Sequence, residues 1–274
     1  MFSKIIENVK AKAPLVHSIT NYVTVNDCAN VILASGGSPI MADDINEVCD
    51  ITSICSSLVI NIGTLNERTI KSMVAAGKKA NELGHPVVFD PVGVGASQLR
   101  NETAMMLLKE VKFAVIRGNI SEIKFLAGGS SNTQGVDASV TDALSAENID
   151  SVITLAKAIS KTTDTVIAIS GASDIVTDSE RSYIIKNGHP LMSRITGTGC
   201  MLTAVVGSYI GANPDNILDA AASAFVAMGL CGEKAYEKLC ELNGGTGTYR
   251  VLLIDNISNL DIQTLKDGAK IESR

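Results

Sequence analysis

The sequence predicts an α/β fold, a mostly parallel central sheet with helices on both faces. Three observations predict it. Short apolar, β-branched runs alternate with longer helical patterns, each run ends near Gly, Asp or Pro, and 46% of the 274 residues are hydrophobic, enough for a sizeable core. The strand expectations are residues 57–62, 86–90, 113–116 and 165–170. Helical patterns fall between them at about 66–83, 100–110, 120–128 and 145–161. Such βαβα order needs crossover helices and parallel neighbours. Residues 174–187 read differently, as an antiparallel hairpin around the polar turn Thr177-Asp178-Ser179-Glu180-Arg181. Beyond Gly199 the chain turns mostly helical to about 243. The glycine-rich turn Gly244-Gly245-Thr246-Gly247 then leads to a last expected strand at 250–254. No linker or internal repeat interrupts the pattern, so a single domain over 1–274 is expected.

Bulk chemistry excludes several classes. The formal net charge is −6 and no basic stripe exists, which argues against nucleic acid as a partner. The apolar stretches near 201–212 and 220–230 are broken by Ser, Gly and Asp and are too short to span a bilayer. The N-terminal residues carry no secretory apolar region. Six cysteines form no CxxC pair, and the three histidines lack metal-ligand spacing. Free thiols in a reducing cytoplasm are the expectation.

The densest chemical signal is Ile195-Thr196-Gly197-Thr198-Gly199-Cys200, which runs straight into the apolar segment Met201-Leu202-Thr203-Ala204-Val205-Val206. Glycines let a backbone approach a ligand, and the first amides of a helix lack internal acceptors. With the helix dipole they form an anion hole, and Cys200 is the reactive side chain beside it. The turn is neither a Walker A loop nor GxGxxG, since position 202 is Leu. A tight turn capping a buried helix is the plainer alternative.

Open parallel sheets bind ligands beyond the carboxyl ends of their strands. That rule gathers Gly63, Asp90, Arg117, Ser170 and the 197–200 turn on one rim. Arg117-Gly118-Asn119-Ile120-Ser121-Glu122 has an arginine fit for phosphate, and Asn119 and Glu122 have capping-box spacing. Glu122 and Asp90, in Asp90-Pro91-Val92-Gly93-Val94-Gly95, are candidates for the water shell of Mg²⁺ or for turn caps. Asn61-Ile62-Gly63-Thr64 ends another strand, with Thr64 or Asn66 as the following cap. Polar side chains of His17-Ser18-Ile19-Thr20-Asn21-Tyr22-Val23 can face a small ligand, and Ser38-Pro39-Ile40-Met41-Ala42 follows a Gly-Gly turn. His189 is too weak a cue for a Cys–His pair.

Taken in order, these motifs resemble those of the hydroxyethylthiazole kinases of the ribokinase-like superfamily, from about residue 4 to 258 and including Gly247-Thr248-Tyr249-Arg250-Val251. The resemblance implies a ribokinase-like three-layer sandwich. It implies ATP-dependent phosphorylation of the primary alcohol of 4-methyl-5-(2-hydroxyethyl)thiazole for thiamine phosphate synthesis, with Mg²⁺ and a homotrimer holding sites at subunit interfaces. It places Met41 and Gly197 on the thiazole alcohol, and Asn21, Val23 and Gly63 around the ring. Arg117 and Ser170 would bind ATP phosphates beside Thr198 and Gly199, and Asp90 and Glu122 would organise Mg²⁺ through water. Most of the superfamily has Asp where Cys200 stands, and the thiol is characteristic of the thiazole kinases. A thiol of ordinary pKa ~8.5 is a weak base at neutral pH. Positioning and charge neutralisation are therefore expected to carry most of the catalysis, with Cys200 orienting the alcohol and taking its proton late. The alternatives are a kinase for hydroxymethylpyrimidine or pyridoxal, a repair dehydratase for hydrated nicotinamide cofactors, or a non-catalytic ATP/thiazole sensor.

Overall fold

The computed structural model describes residues 2–128 and 148–274. Among the described residues nine strands form one sheet. They are β1 (Leu15–Ile19), β2 (Ser38–Ile40), β3 (Ser57–Asn61), β4 (Val87–Asp90), β5 (Val115–Asn119), β6 (Val166–Ser170), β7 (Asp174–Thr177), β8 (Ser182–Ile185) and β9 (Ile271–Ser273), in the order β2-β1-β3-β4-β5-β6-β7-β8-β9. Pairing is parallel from β2 through β6 and antiparallel from β6 to β9. The expected hairpin is β7–β8. Every residue of β3 and β4 is buried, as befits strands covered on both faces.

Side-chain alternation divides the interior into two cores. Val16, Val59, Val88, Val115 and Val166 face one way. They meet α1 (Phe2–Lys12), α2 (Val25–Ser35), α8 (Thr198–Ala212), α9 (Ile217–Leu242) and α10 (Thr246–Ser258). Leu58, Ile60, Phe89, Ile116 and Ile167 face the other way. They meet α3 (Val48–Ile54), α4 (Glu67–Leu83), α5 (Gln98–Glu110), α6 (Ile120–Gly128) and α7 (Ile149–Thr163). A last short helix, α11 (Ile262–Gly268), packs beside α1 and α9. The result is three layers, helix–sheet–helix.

Local signals explain several boundaries. Asn66 caps α4 in a reciprocal box with Thr69, and Gly84 ends that helix in the left-handed region. Of the helix expected over 145–161, residues 145–147 lie outside the described ones, and the rest belongs to α7. The strand expected at 113–116 sits two to three residues later, so Arg117, Gly118 and Asn119 belong to β5 itself.

One expectation is overturned. Residues 250–254 are not a strand but the middle of α10. The short apolar run after the glycine-rich turn suits a strand. The buried residues Tyr249, Leu253 and Ile257 recur every fourth position, while Val251 is 52% exposed. Helical packing against α9, sealed by the Tyr249 hydroxyl donating to the Gly232 carbonyl, outweighs strand propensity. Helix α8 is the opposite of a surface helix: from Met201 to Ile210 every residue is buried. It packs against α1, α2 and α9 and against β1, β3 and β4.

Candidate active site

Neighbouring strands β3, β4, β5 and β6 end at Asn61, Asp90, Asn119 and Ser170, and their carboxyl ends form the rim that the sequence predicts. Helix α8 begins there. Gly197 precedes it with φ +86°, and a Cβ at that position would lie 2.3 Å from Cγ2 of Thr24. The first ladder bond runs from the Met201 amide to the Gly197 carbonyl, so the amides of Thr198, Gly199 and Cys200 precede the ladder. A Cβ on Gly199 would stand 2.7 Å from Nη1 of Arg117. The guanidinium thus lies directly against the helix start.

Arg117 ties the rim together. Its Nη2 donates to Oγ of Ser170 at 2.7 Å, and Nη1 stands 3.7 Å from Oδ2 of Asp90. Asp90 is wholly buried, and Oδ2 also accepts from Nδ2 of Asn61 at 2.8 Å and Oγ1 of Thr203 at 2.7 Å. Its Oδ1 has no partner, nor does Nε of Arg117. Burial pushes the Asp90 carboxyl up, against the pull of Arg117. Burial, followed by the Asp90 charge, raises Glu122 as well. Glu122 accepts from the Gly93 amide at 2.9 Å and the Asn119 amide at 2.8 Å, while Asn119 Oδ1 accepts from the Glu122 amide at 2.8 Å. The capping-box reading of that pair therefore holds geometrically, and Glu122 additionally fastens the loop after β4.

Cys200 accepts hydrogen bonds from Nδ2 of Asn21 at 3.1 Å and Nδ2 of Asn61 at 3.3 Å. Burial and then the Asp90 charge push its thiol up, while hydrogen bonds from Thr24, Asn21 and Asn61 pull the other way. Gly63 is adjacent, since a Cβ there would fall 2.9 Å from both Nδ2 of Asn21 and Oδ1 of Asn61. Arg100, which the sequence did not single out, donates to the carbonyls of Ile62, Gly63 and Val92 and so joins the loops after β3 and β4.

A cavity of about 540 Å³ opens beside this network. Arg117, Ser170, Thr198 and Gly199 line its polar end, and Met192, Leu202, Phe225 and Met228 its apolar end. Asp174 also lines it, with its carboxyl pushed up to about 7 by burial. Neither Asp174 nor the 187–193 wall was anticipated. The Thr198 hydroxyl does not face a ligand freely, because it donates to the Met192 carbonyl at 3.0 Å. His189 lines the same cavity and stacks on Tyr236 with ring centroids 3.6 Å apart.

The structure brings Asn21, Gly63, Asp90, Arg117, Glu122, Ser170, Gly197, Thr198, Gly199 and Cys200 into one connected region. Val23 stands apart, 57% exposed. Met41 is half-buried against the α8 core. Its neighbour Ala42 is held through its carbonyl by Nε2 of the buried His17 at 2.9 Å. All six cysteines are free. No described helix is long and apolar enough to cross a membrane.

Comparison with known proteins identifies the fold and the family. A structure of a ribokinase-like superfamily protein from Enterococcus faecalis V583 superposes with a TM-score of 0.61 at 9% identity, covering 93% of this chain and 90% of that one, which shows the fold. The hydroxyethylthiazole kinase of Pyrococcus horikoshii OT3 superposes with a TM-score of 0.88 at 34% identity, over 100% of this chain and 98% of that chain. The hydroxyethylthiazole kinase of Clostridium acetobutylicum is 58% identical over 273 residues, covering the whole of both chains. The profile of the hydroxyethylthiazole kinase family matches residues 6–263, and the chain belongs to that family.

Proposed function

We propose that this protein transfers the γ-phosphoryl group of ATP to the primary alcohol of 4-methyl-5-(2-hydroxyethyl)thiazole, giving the thiazole phosphate used in thiamine phosphate synthesis. One observation carries the reading at the level of atoms. A guanidinium only 11% exposed, with a buried and unpartnered Nε, lies against the opening turn of α8, one residue from a half-buried thiol. Family membership supplies the substrates.

In this reading Arg117, with Ser170 and Gly199 beside it, receives the ATP phosphates in the cavity. The amides ahead of the α8 ladder and the helix dipole add to the guanidinium charge. Asn21, Met41, Gly63 and Gly197 surround the acceptor. Val23 joins them through a homotrimer interface, a role that suits an apolar side chain left bare on one chain. The alcohol oxygen bonds to the γ-phosphorus as the β–γ bridging bond breaks, and ADP leaves with the electron pair. The alcohol proton passes late to the Cys200 sulfur in its thiolate form. Because burial keeps that thiolate the minor form near neutral pH, alignment of the alcohol supplies more of the rate than proton removal.

The residues also suit Mg²⁺. Asp90 presents a buried carboxylate oxygen with no partner, and Glu122 lies near enough for the Asp90 charge to help raise its carboxyl. Mg²⁺ uses few carboxylates and keeps several waters. When bound with ATP, the ion would neutralise phosphate charge, with Asp90 and Glu122 holding its water shell. A single cytoplasmic domain completes the proposal.

The test is coupled ADP production with Mg²⁺–ATP, comparing hydroxyethylthiazole, hydroxymethylpyrimidine and no acceptor. ADP formed with the thiazole alone is expected. ADP with the pyrimidine would move the substrate assignment. Thermal stabilisation by both ligands without ADP would leave a sensor.

A further inference from the structure

The two carboxamides beside Cys200 have orientations set by the main chain. Oδ1 of Asn21 accepts from the Thr24 amide at 3.2 Å and from Oγ1 of Thr24 at 3.0 Å. A backbone N–H only donates, so the oxygen of Asn21 must face Thr24 and its NH₂ must face the site. Oδ1 of Asn61 accepts from the Gly63 amide at 2.8 Å and from Nδ2 of Asn21 at 3.1 Å. Its NH₂ must therefore face Asp90 and the sulfur. Two N–H donors with no freedom to flip converge on one sulfur atom. Both carboxamides are buried, 4% exposed for Asn21 and 1% for Asn61.

We propose that Asn61 is a positioning residue for phosphoryl transfer. It holds the Cys200 sulfur as an acceptor and locks it in one frame with Asp90, so that the thiolate keeps a lone pair facing the acceptor alcohol whose proton it takes. The inference rests on the kinase reading above. It assigns to a residue without substrate contact the task of fixing both the sulfur and the carboxylate. Gly63 serves the same arrangement from the other side, since its missing Cβ leaves room for the amide pair.

The experiment is a double-mutant cycle on kcat with Asn61→Ala and Cys200→Ala. Asn61→Ala is expected to lower kcat by about tenfold or more, with KM for thiazole and for ATP changed less than about twofold. In the Cys200→Ala background the same substitution is expected to cost at least about fivefold less, because its main target is gone. Equal losses in the two backgrounds, or a rise in KM with kcat kept, would overturn the proposal and leave Asn61 a structural residue. Should Asn61→Ala not fold, Asn61→Ser, which fills part of the space but withdraws the N–H donor from the sulfur, carries the same cycle. A wild-type protein with no thiazole-dependent ADP would overturn the kinase reading and this inference with it. A working kinase with an additive cycle would overturn the inference alone.

Discussion

The two sides of the α8 N-terminus solve opposite problems. On the Cys200 side, Asn21, Thr24, Asn61 and Gly63 satisfy one another, and each buried polar atom of the carboxamides has a partner. On the Arg117 side, Oδ1 of Asp90 and Nε of Arg117 are buried and unpartnered, and the cavity begins beside them. Buried polar groups are ordinarily paired, and leaving one unmade costs about 1–3 kcal/mol. The closed side fixes a geometry in advance. The open side bears an unmet need that a charged ligand meets.

The sharpest way to break this contrast is Arg117→Met, which keeps the bulk and removes the charge. The expected loss in kcat/KM is roughly 10²–10³-fold, the usual scale for one preorganised donor to a transferring group. Purified variant assayed for ADP formation checks it, and near-wild-type activity would mean that the phosphates bind elsewhere. A smaller effect is expected for Gly197→Ala. The left-handed φ and the approach of Thr24 Cγ2 should together lower stability by about 2–3 kcal/mol, read as a drop in thermal midpoint. An unchanged midpoint would show that Thr24 moves freely and that the closed side is soft.

The smallest change, and the one that sharpens the comparison most, is Cys200→Asp. A carboxylate accepts the same two N–H donors and is ionised at neutral pH. Turnover should be retained or rise. The sign of the pH dependence follows from the raised thiol: wild-type activity should climb as pH passes from neutral toward the thiol's elevated value, because only then does the sulfur lose its proton. The Asp variant should lack that climb. Rate profiles from pH 6 to 9.5 decide it, and a complete loss of turnover in folded Cys200→Ala would instead make the thiolate indispensable.

Much of the rim was legible because an apolar run that stops at a polar residue is a local signal. Asn61, Asp90 and Ser170 each close such a run, and the Gly/Thr turn announces the start of α8. The β7–β8 hairpin and the Asn66 cap were legible for the same reason. What escaped depends on partners far away in the chain. Nothing near Asn61 shows that its amide meets a sulfur 139 residues later, nor that Thr203 reaches Asp90 across 113 residues. Arg100 read as an ordinary helix residue until three strand-end carbonyls gathered round it. The misread run at 250–254 failed from the opposite cause. Its local apolar character was real, and tertiary packing on α9 made it a helix.

The burial of α8 on every side has a dynamic consequence. Amide exchange in its interior, from 202 to 210, requires opening the whole molecule, so these protons should be among the slowest to exchange. The reactive turn is the first turn of this helix and inherits its stillness. The 3₁₀ turn Pro190–Arg194, which also lines the cavity, is by contrast exposed at Ser193 and Arg194, and the amides there are expected to exchange faster than that of Cys200.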